Sequence, residues 1–131
     1  MNRKFGIFQS VIIPAVIVLI VSAPMFAHHG ASEYDTSKVT TVPGGTVTRF
    51  EFINPHIEIY WEMKDDKGNV QQWNAEGTTP NILYRNGWNK DSLKPGDQLK
   101  EVSGNQCKNG NPCMRLRKIV LGTGQELAVP Q

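Results

Sequence analysis

The chain predicts an all-β domain, a small OB-fold-like five-stranded Greek-key barrel with one short helix between strands three and four. Three observations predict it. Apolar and polar residues alternate with a period of two in short stretches separated by turns rich in Gly, Pro and Asn. A single segment, residues 79–87, carries helix start and stop signals. The resulting order of three strands, a helix and two more strands is that of the barrel. A plain β-sandwich is the competing architecture, and the one well-marked helix in that slot favours the barrel.

Taken in order, residues 1–27 read as a secretory signal peptide. Arg3 and Lys4 make a positive start, residues 11–21 are an apolar run, and Ala27 is a small residue at the expected cut. A membrane-spanning helix needs about 20 apolar residues, and extending the run to residues 5–27 meets Gln9, Ser10 and Pro14. An uncleaved N-terminal anchor is the alternative, and only then is a membrane a partner. Either way the remainder is expected outside the cytoplasm, periplasmic or secreted, because the Arg/Lys end stays inside.

Residues 28–45 are polar, end in Pro43-Gly44-Gly45, and read as an N-terminal arm; residues 46–131 read as the barrel domain. Strands are expected at 46–53, 56–64, 70–76, 98–103 and 114–121. In the first, Thr48, Phe50 and Phe52 share one face, and Val47, Arg49 and Glu51 the other. In the second, Ile57, Ile59, Trp61 and Met63 face the core, while His56, Glu58, Tyr60, Glu62 and Lys64 face away. In the third, Trp73 and Ala75 face inward. The helix, at 80–86, should plug one end of the barrel. Thr79 is its cap, Pro80 its first residue and Gly87 its left-handed stop, with Ile82, Leu83 and Trp88 packing it down. A last short segment follows Gly122-Thr123-Gly124.

Charge excludes one class of partner. The full chain has 14 Lys+Arg against 12 Asp+Glu, and the signal holds Arg3, Lys4 and no acid, so the exported part is neutral. Nucleic-acid binding needs a basic footprint on the folded domain, and none is expected here. Cys107 and Cys113 flank a Gly/Asn/Pro turn, and in an exported chain such a pair is most simply a disulfide. Closing so short a loop contributes about 2–3 kcal/mol by chain entropy. A soft metal site with Met114 is the other reading of the pair.

Several motifs recur together: His28-His29-Gly30, Gly45-Thr46-Val47-Thr48, Asn54-Pro55-His56, Trp73, Gly87-Trp88 and Asp91-Ser92-Leu93-Lys94-Pro95-Gly96-Asp97. In these the chain resembles a family of small exported bacterial proteins whose domain has no assigned function, over residues 28–121. Members more often begin His-His-Ser and carry Trp just before Asn-Pro-His, where this chain has Gly30 and Phe52-Ile53. The cysteine pair is not part of that pattern. The resemblance implies an exported address and no activity.

The candidate chemistry is metal binding. Cleavage after Ala27 would start the chain at His28, whose α-amine and imidazole together chelate, with His29 adjacent. Nitrogen donors of this kind suit Cu(II), which heads the divalent affinity order. If Lys64 pairs with Val70, Glu58 stands opposite Glu76 with His56 near Thr78, on the face away from Trp61. Like charges so placed are unfavourable, so the register is slipped, the acids splay into solvent, or a cation lies between them. The expected metal set is therefore His28, His29 and His56, with Glu76 or Glu58 adding oxygen, and copper or another divalent ion as cofactor. Structural readings stand beside this: His56 can simply finish the Asn-Pro turn, and His28-His29 can be an ordinary polar start.

Two other classes remain open. The exposed Tyr60 with Arg115 and Arg117 can form a ligand face, making the domain an interaction module for a glycan, lipid or protein in the periplasm. A copper oxidoreductase built on an N-terminal histidine brace ranks third. Catalysis is not expected, since the chain has no G-x-S-x-G, no H-E-x-x-H and no glycine-rich phosphate loop.

Overall fold

The computed structural model describes residues 30–130. The segment expected to be a signal peptide and the His28-His29 pair lie outside the described residues. Seven strands form one mixed sheet: β1 (Thr40–Pro43), β2 (Thr46–Glu51), β3 (Glu58–Lys64), β4 (Val70–Glu76), β5 (Leu99–Gln106), β6 (Cys113–Leu121) and β7 (Glu126–Ala128). One helix, α1 (Pro80–Tyr84), joins β4 to β5. The ladder runs β1-β5-β6-β4-β3-β2, with β7 paired to β6. Only β4 and β6 pair in parallel; the other ladders are antiparallel. The path is open, and its end strands β1 and β2 are consecutive in the chain. Leu99 and Gly45 exchange backbone bonds, at 2.8 and 3.0 Å, and the Val47 amide donates to the Asp97 carbonyl at 2.8 Å.

The mostly β expectation stands, and the five-strand count does not match the seven found. Five of the expected segments are β2 to β6. The two additional strands are short: β1 lies within the stretch read as an arm, and β7 is the last short segment. β5 also runs three residues past its expected end, through Gly104. There the sheet requires glycine, because a Cβ would lie 2.3 Å from the Arg115 carbonyl oxygen. Gly104 marks a close approach of two backbones within the strand.

The alternation of β3 is as expected. Ile57 and Trp61 are wholly buried, Ile59 is 1% exposed, and Tyr60 and Glu58 are half-buried on the other face. Trp61 stacks on the partly buried Trp73 with centroids 5.8 Å apart. Burying one such apolar side chain contributes about 1.5–3 kcal/mol, and Val102, Met114, Leu116 and Ile119 complete the same cluster. β2 departs from simple alternation. Its register to β3 shifts between Val47 and Arg49, so Thr48 is bulged out. Val47 is therefore 1% exposed, and Phe50 packs against the core from the same side. Grouping Val47 with Arg49 and Glu51, rather than with Phe50, was an error of period: an extra residue flips everything beyond it.

The helix is shorter than expected, and its anchoring differs in two respects. Thr79 is extended, as an N-cap should be, yet makes no side-chain cap bond. Leu83 and Trp88 are buried, but Ile82 is 43% exposed, because a five-residue helix turns only one narrow face to the sheet. Gly87 ends the segment at φ 86. The Trp88 indole donates to the Ala128 carbonyl at 2.9 Å, tying the helix exit to β7.

Candidate functional site

His56 stands just before β3 and is drawn to the hairpin by the backbone of its neighbour. The Ile57 amide donates to the Thr78 carbonyl at 3.1 Å, and the Gly77 amide to the Ile57 carbonyl at 2.9 Å. Register then runs Lys64 to Val70 and Glu58 to Glu76. His56, Glu58 and Tyr60 accordingly line up on the outer face, with Glu76 across the hairpin. The row continues in both directions, since Glu58 faces Glu51 of β2 and Glu76 faces Arg115 of β6.

Three carboxylates in one row need an explanation, and each has its own donor. Glu51 pairs with Arg49 at 3.2 Å. Glu58 accepts the Tyr60 hydroxyl. Glu76 meets His56 Nδ1 with one oxygen and accepts the Tyr34 hydroxyl at 3.0 Å with the other. The register is not slipped, and neither central acid is left in solvent alone. The like-charge conflict is resolved by separate hydrogen bonds, an outcome that alternation along a strand does not foretell.

These contacts leave their mark on the phenols. Burial first, and the Glu58 carboxylate next, push the Tyr60 hydroxyl up to about 12. The Arg49 guanidinium lies 3.8 Å above the Tyr60 ring and opposes that rise. Tyr34 is raised further, by burial and then by Glu76.

Tyr34 itself comes from the N-terminal segment, which lies against β5 and β6. It bridges to Cys107, and the Asp35 amide donates to the Gln106 carbonyl at 2.8 Å. Asn105 fastens the same segment. Its amide nitrogen donates to the Asp35 and Lys38 carbonyls at 3.1 and 2.7 Å, and its oxygen accepts Arg117 Nε at 2.8 Å. Only 1% of Asn105 is exposed, and all three of its polar valences used here are satisfied. Neither Tyr34 nor Asn105 stood out in sequence. A tyrosine in a polar arm and an asparagine after a glycine carry no periodic signal.

His56, Glu58, Glu76, Tyr60 and Arg115 are thus gathered at one end of the β3–β4 face. Arg117 is not available with them, being turned to Asn105 in partial burial that lowers its pKa. Lys118 pairs with Glu126 at 3.2 Å. Cys107 and Cys113 stand at disulfide distance, their Cα atoms 5.5 Å apart. Among the described residues no group of three His, Cys, Asp or Glu side chains is placed to hold a metal ion. His28 and His29, the other expected ligands, lie outside the described residues.

The chain belongs to a family of unknown function, DUF6152, whose model matches residues 15–114. No curated protein and no solved structure matches it.

Proposed function

We propose that this member of a family without an assigned activity is an exported, non-catalytic binding protein for one divalent metal ion, Cu(II) by its donor set. The fold belongs to the same reading, as an OB-like barrel whose first strand is broken into β1 and β2 at Pro43-Gly44-Gly45. Support for it comes from the helix between β4 and β5, the parallel β4–β6 pair and the bonds that return Gly45 and Val47 to the start of β5.

The observation that carries the metal reading is the contact of His56 Nδ1 with Glu76, on a carboxylate that also receives Tyr34. His56 Nδ1 lies against the carboxylate without the geometry of a hydrogen bond. A neutral imidazole that turned to donate from Nδ1 would carry its lone pair on Nε2. A carboxylate behind the ring is the arrangement that orients a metal-ligating histidine and raises its basicity. Glu76 on this account steers His56 rather than ligating, and Glu58 is occupied by Tyr60. The remaining donors are nitrogens from the chain start. Tyr34 follows His28 by six positions, and six residues span at most about 20 Å. With processing after Ala27, the His28 amine and imidazole lie within chain reach of the hairpin edge that Tyr34 touches.

Titration calorimetry of the processed protein with Cu(II) at neutral pH tests this. One equivalent should bind, and removal of His28 and His29 should abolish the tight phase. Glu76→Gln should weaken binding by about 10- to 100-fold, the usual cost of losing the group behind a ligating histidine. Equal affinity in the full and truncated forms sinks the reading. The interaction face made of Tyr60, Arg115 and Arg117 is less favoured, because Tyr60 and Arg117 are already committed to Glu58 and Asn105.

A further inference from the structure

Around the Cys107–Cys113 loop the surface is hollowed on two sides. One hollow of about 330 Å³ is lined by Tyr34, Asn74 and Asn109, and a second of about 400 Å³ by Gln71, Trp73 and Gln106. Both also touch Gln72, Asn111, Cys107 and Pro112, so they meet along the loop as one bent groove. Each volume is at the small end of the range for ligand sites.

The lining is chemically uniform. Six primary amides face the groove, from Gln71, Gln72, Asn74, Gln106, Asn109 and Asn111, against a single carboxylate, Glu33, and no cation. Part of this amide set serves the fold: Gln72 donates to Glu62, Gln71 accepts the Trp73 indole at 3.3 Å, and Asn109 accepts the Asn111 backbone N–H at 3.0 Å. The side chains of Asn74, Gln106 and Asn111 make no hydrogen bond to other described residues. Each primary amide offers two donors and an acceptor at fixed spacing, which matches a pair of neighbouring hydroxyls. The partly buried Trp73 ring, stacked on Trp61, borders the second hollow, while Tyr34 at the first is only 6% exposed.

We propose that this groove binds a neutral oligosaccharide. Its amides would take hydroxyl pairs, and the open part of the Trp73 ring would take the apolar C–H face of one sugar. The near absence of charge speaks against an anionic ligand, whose desolvated groups would meet no cation here. The cysteine pair closes the loop, and the Asn74 backbone amide donates to its Pro112 carbonyl at 3.2 Å, which limits the ordering left to oppose binding.

The test uses the oxidised, processed protein in the presence of a chelator, which keeps its outcome independent of the copper reading. The probes are a β-1,4-glucose hexamer, its N-acetylated counterpart and an α-1,4-glucose hexamer, followed by indole fluorescence and amide NMR shifts. At least one should perturb Trp73, Asn74 and Asn111 saturably. Asn74→Ala with Asn111→Ala should weaken it by about tenfold or more, the order expected for two neutral hydrogen bonds. A Lys100→Ala control should bind as before, and unchanged thermal unfolding of the double variant guards against misfolding. The proposal is overturned if none of the sugars shifts these signals at millimolar concentration. It is equally overturned if the double variant binds undiminished, or if an extended Gly-Ser peptide of similar length competes as well as the sugars.

Discussion

Within residues 56–61, alternate side chains go to opposite environments and are held by different forces. Ile57, Ile59 and Trp61 turn inward and are at most 1% exposed, fixed by packing alone. His56, Glu58 and Tyr60 turn outward into a run of directed contacts that reaches Glu76, Tyr34 and Arg49. The inner set is non-directional and tolerates any residue of the right volume. The outer set works only if each donor meets its acceptor. The difference teaches where to look for function. Inner substitutions should change stability and leave ligand chemistry alone, whereas outer ones should change chemistry at small cost to stability.

The largest effect that tests this division is on Trp61. Trp61→Ala should cost about 3–5 kcal/mol in denaturant unfolding, as expected for an aromatic ring removed from a packed core. Trp61→Phe sharpens the point. The indole nitrogen is buried with no hydrogen-bond partner among the described residues, so replacing it forfeits volume and no bond. Phe should therefore cost clearly less than Ala. Equal losses would mean that the indole N–H is doing something packing cannot explain.

Asn105 is the case most able to break the comparison, since it is an outward polar residue as buried as the core. Asn105→Ala would leave two carbonyls of the N-terminal segment and the Arg117 guanidinium without their partner. The expected loss is about 1–3 kcal/mol. It should be accompanied by faster amide exchange around residues 35–38, because those carbonyls are what the amide ties down. A loss of stability with exchange there unchanged would mean that the segment is held by Tyr34 and the β5 ladder alone.

What could be read in advance follows the same division. The interior of β3 was legible because alternation reports burial directly, and the hairpin register followed from the Asp65 to Asn69 turn. That register places Glu58 against Glu76 and His56 beside Thr78. The Val47 face was not legible, since a bulge at Thr48 leaves no mark in composition. The partners of Glu76 were half legible. His56 follows from register, but Tyr34 arrives from 42 residues away in sequence, through a backbone bridge to Cys107 that no local pattern encodes. Asn105 was missed for the same reason: its burial is imposed by a segment that crosses above it. Directed contacts between distant segments are the part of a site that a single sequence hides.

The smallest expected effect concerns pH and tests whether the outer contacts are coupled to folding at all. Tyr60 is pushed up to about 12 by burial and by Glu58, from an ordinary 10. Between those values the unfolded chain has released this proton and the folded chain has kept it. The unfolded state therefore binds fewer protons, and stability falls as pH rises through the window from about 10 to 12. Below about pH 10 the contribution is fully present. Tyr34, raised for like reasons, extends the decline in the same direction. Glu58→Gln removes the charge that disfavours the phenolate and leaves burial in place, so it should lower the Tyr60 midpoint in a UV titration and flatten the alkaline loss. Tyr60→Phe should remove that part of the loss altogether. An alkaline unfolding profile identical in wild type, Glu58→Gln and Tyr60→Phe would show that the phenol and its carboxylate are bystanders on an outer face that packing alone had already fixed.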